Sequence, residues 1–306
     1  SKEKRSWVKA VDDVSLTMNR GEVLGIIGES GCGKSTLGRM LVRLENPTSG
    51  DVLLDGKSTA QMLKESNKAF RKRVQIVFQN PFDTFTPRDT IEKILMRPLK
   101  NYNIGASDEE RLKMCRDALE SGGLHPAEEI LKRYPHELSG GQLQRISIIR
   151  SMFFKPDLII ADEPVSMLDV SVRADIINML LDLAKKNNTA VIFISHDIAL
   201  TRYISDHIAV MYLGRVVEYG ETDDVIAHPF HPYTRVLISH CADVDPDQVR
   251  SGLPIEGEPP TPINPGPGCY FEPRCFKACP GCKNAYPGRV ELGNGHYAYC
   301  SCTQED

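Results

Sequence analysis

Apolar residues gather along the chain in two rhythms, short unbroken runs and helical spacings, and the two alternate. The apolar runs that open VLGIIGESGCGKSTLGRML, DLIIADEP and AVIFISHD predict buried strands of the kind found in parallel sheets. The first runs into ESGCGKSTLGRML, a tight glycine turn followed by a helix. Around residue 140 the spacing changes. Leu143, Ile146, Ile149 and Phe153 fall on one helical face, and Ser139-Gly140-Gly141 ahead of them predicts a helix start rich in free backbone N–H groups. The pattern as a whole predicts an α/β chain whose first half-sheet ends near residue 80. A helix-rich segment containing DEERLKMCRDALESGG follows to about 155, and the β/α alternation then resumes and fades after VMYLGRVVEYG. The expected divisions are a core of 1–80 with 156–237, a helical subdomain of 81–155, and a C-terminal part of 238–306. Seven prolines and four glycines between 246 and 268 exclude long helices there and predict a linker or an extended wrap.

Composition narrows the class. With 306 residues, 41% of them apolar, the chain can bury a core and divide into more than one domain. Its 37 basic and 41 acidic residues are well mixed, which argues against a general electrostatic grip on nucleic acid. No apolar run reaches the roughly 20 residues of a helical membrane span, and SKEKRSWVKAVDD at the start lacks the apolar stretch of a signal peptide, so a soluble, cytoplasmic chain is expected. Of nine cysteines, Cys32, Cys115 and Cys241 are scattered, whereas six crowd residues 269–302. In a reducing compartment such clustering predicts metal rather than disulfides.

The chemistry-bearing residues sit where the strands end. Gly28, Gly33, Lys34 and Ser35 fit G-x-x-x-x-G-K-[ST] in a strand–turn–helix setting. Glycines let the N–H groups of residues 29–36 curl around phosphate oxygens, and the helix N-terminus adds its positive end. Lys34 would bridge the terminal phosphates and Ser35 would hold Mg2+. Asp162 and Glu163 close the strand of DLIIADEP, at the carboxyl end where parallel sheets bind ligands. Strand alternation points them to different sides, which suits Asp162 to a magnesium-water contact and Glu163 to polarising an attacking water.

These segments, in their order, resemble the motif set of ABC transporter ATPase subunits: GESGCGKST (28–36), the glutamine of VFQNP (Gln79), LSGGQ (138–142), LIIADEP (158–164), SMLD (166–169) and the histidine of FISHD (His196). The resemblance implies a P-loop NTPase fold, with a RecA-like core interrupted by a helical subdomain. It implies that Gly28, Glu29, Ser30, Gly31, Cys32, Gly33, Lys34, Ser35 and Thr36 bind ATP, and that Ser35, Gln79 and Asp162 serve Mg2+. Glu163, Gln79 and His196 would be catalytic, with His196 on the γ-phosphate. Ser139, Gly140, Gly141 and Gln142 would close over the ATP of a partner ATPase, and Asp169 would line the contact between the two. Met167 departs from the usual alanine of that stretch. Trp7, the only tryptophan, stands at about the place of the family's adenine-stacking aromatic; a packing anchor is the alternative.

VFQNPFDTFTPR, YPHELSGGQ, DEPVSMLDVSV and HPFHPYTRVLISH resemble the oligopeptide and dipeptide importers, and DEPVS favours the F-type of their paired ATPases. That resemblance implies a heterodimer with a second ATPase subunit, two membrane permease subunits whose coupling helix docks near Gln79–Arg88, and an indirect partnership with a substrate-binding protein. The place would be the cytoplasmic face of the membrane. A nickel or other small-solute importer of the same family is an alternative. So are a soluble, non-transport ABC protein and an iron–sulfur protein regulated by ATP, though one cassette without a heptad run speaks against the soluble protein.

The cysteines admit two ligand sets. By resemblance to these importers, Cys269, Cys275, Cys282 and Cys300 would bind a [4Fe-4S] cluster, with Arg274, Lys277, Lys283 and Arg289 near enough in sequence to offset its charge. Read for Zn2+, Cys279-x-x-Cys282 and Cys300-x-Cys302 form a tetrathiolate pattern. Either metal would fold a segment too poor in apolar residues to build its own core. The expectation is thus a small, Cys-rich, metal-binding C-terminal extension.

Overall fold

The structure, a computed structural model, describes residues 6–240, 253, 255 and 257–301. Its strands are β1 (Val23–Ile27), β2 (Leu53–Leu54), β3 (Lys57–Ser58), β4 (Val74–Val77), β5 (Leu158–Asp162), β6 (Ala190–Ile194), β7 (His207–Tyr212), β8 (Arg215–Glu221), β9 (Arg289–Gly293) and β10 (His296–Tyr299). The chain forms two compact units. One takes residues up to 18, 22–40 and those from 192 on; the other takes 19–21 and 41–191.

In the first unit the strand order is β6-β1-β7-β8-β10-β9. β1 runs parallel to β7, with Gly25 opposite Ile208, and the sheet then turns antiparallel through β8, β10 and β9. Burial explains the composition: Leu24, Ile26, Ile27, Ile208, Ala209 and Val210 are all buried, as both faces of a covered sheet require. The C-terminal cysteine segment therefore joins this sheet. Its β9–β10 hairpin turns at Asn294-Gly295, both at positive φ (+49° and +77°), and Tyr297 pairs with Tyr219 of β8. A buried carboxylate secures the seam: Glu218 Oε1 lies 2.8 Å from His296 Nε2, and the same carboxylate accepts the backbone N–H groups of Phe230 and His231 at 2.8 Å each.

In the second unit β4 runs parallel to β5, with Val74 opposite Leu158 and Val77 opposite Ala161. Helices Ile91–Asn101, Asp108–Ser121, Ala127–Lys132 and Gly140–Met152 close over a core of their own, including Ile91, Leu95, Leu99, Cys115, Leu119, Leu143 and Ile146. Phe153 packs against it from the rim. The Gly140–Met152 helix is not one-faced as its spacing predicted. Gln144, Ser147, Ile148, Ser151 and Met152 are buried as well, because small and amide side chains carry the second face.

Candidate nucleotide site

The first unit holds the glycine loop. β1 ends at Ile27 and the backbone turns at Gly28, with φ +151°. A Cβ there would lie 2.2 Å from the Met211 carbonyl oxygen, and one on Gly33 (φ +102°) 2.0 Å from that of Ala10. Side chains are thus excluded at both ends of the loop by the chain's own backbone. Gly31, at the exposed tip, has φ +78° and open space around it. The buried Lys34 opens the helix Lys34–Leu41, and its Nζ donates to the Gly28 and Glu29 carbonyl oxygens at 2.7 and 3.0 Å. Ser35 and Thr36 follow, half-buried, and Ser30 is exposed. Burial pushes the Cys32 thiol above its ordinary pKa, against the pull of Lys34.

Glu29 is held from both ends. Its backbone N–H donates to the hydroxyl of the buried Tyr233 at 2.8 Å, and its carboxylate takes two hydrogen bonds from Arg274, at 2.7 and 3.0 Å. Neither partner was singled out as a site residue from the sequence. Arg274 lies 245 positions away, and the spacing gave only a charge near the cysteines. Arg274 pairs with Glu29, Lys283 with Glu272 at 3.6 Å, and Arg289 with Glu291 at 2.5 Å, because each finds a carboxylate within reach.

His196 is exposed just after β6, ahead of the helix Ile198–Ile204, whose cap Asp197 accepts from Leu200 N at 3.0 Å. Trp7 is 66% exposed, so its indole anchors no core. Its backbone is tied to the proline-rich segment: Trp7 N donates to Asn264 Oδ1 at 3.0 Å, Asn264 N returns a bond to Trp7 O at 2.9 Å, and Val8 bridges Ile263.

The second unit brings Gln79 and Glu163 together. Asp162, buried, ends β5, and Glu163 is the next residue, at φ +46°. Its direction is therefore set by a left-handed turn, not by the strand alternation expected from the sequence. Gln79 Nε2 donates to Glu163 Oε2 at 3.0 Å and to Ser166 Oγ at 3.1 Å, while Ser166 Oγ donates to the Glu163 carbonyl at 3.0 Å. Gln144, buried, donates to the Phe78 carbonyl at 3.3 Å, one residue before Gln79. Ser166 lay inside the SMLD stretch and Gln144 inside a helix read only for its apolar face. At 139–142 a reciprocal cap forms: Ser139 Oγ accepts from Gln142 N at 3.2 Å, and Gln142 Oε1 accepts from Ser139 N at 3.0 Å. A Cβ on Gly141 would sit 2.9 Å from Val172 Cγ1, and one on Gly140 3.3 Å from Leu168 Cδ2. Met167, Asp169 and Val170 are exposed at the start of the helix Val170–Asn187.

The cysteines cluster without forming a ready ligand set. Cys282 and Cys300 are buried, Cys269 and Cys275 half-buried. Burial pushes the Cys269 and Cys275 thiols up to about 11, and both also feel Cys282 and Cys300. Cys279 Sγ is 3.4 Å from Cys282 Sγ. Among the described residues, however, no three His, Cys, Asp or Glu side chains are grouped to hold a metal ion, so the expected metal-binding character of the extension is not established; Cys241 and Cys302 lie outside the described residues. The fold of the segment rests instead on Phe271, buried against Tyr212 and Tyr233 with ring centroids 5.2 and 5.3 Å away, and on the β10 seam.

Among the described residues no helix is long and apolar enough to cross a membrane. A family model described as ABC transporter matches residues 11–166, and one described as oligopeptide/dipeptide transporter, C-terminal region, matches 217–282. The chain is 47% identical to a probable peptide ABC transporter ATP-binding protein, y4tS, of Sinorhizobium fredii, over 96% of this chain and 82% of that one. It is 43% identical to the dipeptide transport ATP-binding protein DppF of Haemophilus influenzae, over 97% and 90%. Among solved structures, the ATP-binding cassette MJ0796 in a dimeric post-hydrolysis state bound to ADP and Pi is similar at TM-score 0.63 and 32% identity, covering 70% of this chain and 90% of that one.

Proposed function

The chain belongs to the ABC transporter ATP-binding family and carries the C-terminal region of its oligopeptide/dipeptide branch, and from that premise we propose that it hydrolyses ATP to drive peptide import through a membrane permease. The observation that carries the catalytic reading is the Gln79–Glu163 contact of 3.0 Å at the end of β5. A carboxylate at this place, held by an amide, accepts a proton from water as the water oxygen attacks the γ-phosphorus and the bond to the ADP oxygen breaks. Lys34 leaves its two loop carbonyls for phosphate oxygens, as an ammonium prefers a charged acceptor. Ser35, Gln79 and Asp162 hold Mg2+, residues 28–36 cradle the phosphates, His196 meets the γ-phosphate, and the exposed Trp7 stacks on adenine. Ser139, Gly140, Gly141 and Gln142 act on the ATP of a second ATPase subunit, with the exposed Asp169 at that contact. We assign 1–80 with 156–237 to the core, 81–155 to the helical subdomain and 238–306 to the extension.

The assembly would add two permeases and an indirectly engaged substrate-binding protein, with this chain peripheral on the cytoplasmic face. For the extension two readings stand: Cys269, Cys275, Cys282 and Cys300 would hold a [4Fe-4S] cluster, or Cys279 and Cys282, whose sulfurs lie 3.4 Å apart, would belong to a Zn2+ site with Cys300 and Cys302. Equilibrium binding tests the nucleotide reading: the chain should bind MgATP and Lys34→Ala should not, and equal binding by both would overturn the phosphate role.

A further inference from the structure

We infer that Arg274 is a positioning residue of the nucleotide loop, bracing it through the Glu29 carboxylate so that the cysteine-rich extension forms part of the ATP site. The proposal rests on the nucleotide reading above. Arg274 stands in the turn Glu272–Arg274, one residue before Cys275, and only 6% of its side chain is exposed. Burying a guanidinium is costly unless its donors are satisfied. Two of them meet Glu29 in a fork, a third meets the Gly257 carbonyl at 3.0 Å, and the Tyr212 hydroxyl lies 3.4 Å away. The Glu29 pairing pushes its pKa further up, so the charge is permanent.

The brace reaches the phosphate-binding atoms in two steps. With Arg274 on its carboxylate and Tyr233 on its N–H, Glu29 has one orientation. Its carbonyl and that of Gly28 are the groups that hold Lys34 Nζ. Fixing Glu29 therefore fixes the curvature of the loop and the starting position of the lysine. The platform is rigid, because Phe271, Tyr212 and Tyr233 contact one another in the buried cluster that also contains Ile27.

If removing the brace lowers the binding-competent share of loop conformations to about a tenth, the apparent Kd rises about tenfold while the bound complex is unchanged. The test is MgATP titration calorimetry on the full chain, with steady-state hydrolysis and amide exchange alongside. Arg274→Ala should weaken MgATP about tenfold, raise KM with kcat within twofold, and speed exchange of amides 29–34. Arg274→Lys, one point donor in place of a fork, should weaken it about threefold. Glu29→Ala should match Arg274→Ala, and the double variant should be no worse than either single one. Wild-type affinity in Arg274→Ala, additive losses in the double variant, or faster exchange confined to 269–301 would each overturn the proposal. If Arg274→Ala does not fold, Arg274→Lys, which keeps a buried cation paired with Glu29, tests the same link, and wild-type affinity in that variant would overturn the proposal equally. Failure of the wild-type chain to bind MgATP would instead count against the nucleotide reading itself.

Discussion

Glu163 occupies a conformation that its side chain disfavours, and this can be measured against stability. At φ +46° a residue with a Cβ crowds its own carbonyl, at a cost of roughly 1–2 kcal/mol that glycine avoids. Replacing Glu163 by Ala removes the carboxylate and its bond from Gln79 but keeps the Cβ; replacing it by Gly removes both. The difference between the two variants isolates the strain. Elsewhere Gly is the less stable of the pair by roughly 0.5–1 kcal/mol, since it loses more freedom on folding. Here the order should invert, with Glu163→Gly more stable than Glu163→Ala by about 1 kcal/mol, which in a chain of this size raises the melting midpoint by about 2 °C. Scanning calorimetry at equal concentration reads the difference, and hydrolysis assays on the same samples should show both variants slowed at least about 100-fold. An alanine variant as stable as the glycine variant would refute the argument that backbone strain is retained at this position for the sake of the carboxylate.

Ser139→Asp should fold normally, because aspartate caps a helix as well as serine does. It should nevertheless abolish hydrolysis in the ATPase dimer by setting a carboxylate against the partner's γ-phosphate; full activity would contradict the shared site. His231 caps the helix Pro232–Ser239 by accepting the Tyr233 N–H at 3.1 Å, and burial holds its pKa down to about 4 against the opposing pull of Glu218. It is therefore neutral in the folded chain, and its stabilising contribution is present above about pH 6.5 and lost as pH falls toward 4, by about 3 kcal/mol. His231→Asn keeps an acceptor without a titration, so denaturant midpoints measured between pH 7 and 4 should fall less steeply than in the wild type; equal slopes would refute the assignment. Protein prepared without oxygen should contain about four iron atoms per chain and lose them on Ser substitution of Cys269 or Cys275. Stoichiometric zinc that survives those two changes but not Cys279→Ser would decide for the zinc set.

The glycine loop, β1 and β5 were legible because each is a local word: an unbroken apolar run, then residues whose types are fixed by a phosphate or a turn. The helical segment was legible for the same reason, from its spacing. What escaped was long-range or conformational. The left-handed turn at Glu163 leaves no trace in residue type, and the Arg274–Glu29 fork joins positions 245 apart. The β9–β10 hairpin carries a signal too, alternating residues around Asn294-Gly295, but it lies among cysteines whose clustering points to metal. Its docking on β8 depends on Glu218, a buried carboxylate between Val217 and Tyr219 whose partner His296 lies 78 residues away. The proline-rich stretch was expected to be a linker or an extended wrap, and its pairing at 262–264 with residues 7–9 gives the second alternative a specific place.

Whether hydrolysis by this chain moves peptide can be read from uptake into vesicles. Permeases, the second ATPase, the binding protein and either the wild-type chain or Glu163→Gln are reconstituted with ATP available on the cassette side, and labelled dipeptide trapped inside is counted. With the wild-type chain ATP-dependent accumulation should continue; with Glu163→Gln MgATP binding should be retained but accumulation lowered at least about 100-fold. Undiminished accumulation with Glu163→Gln would contradict the coupling of hydrolysis to transport.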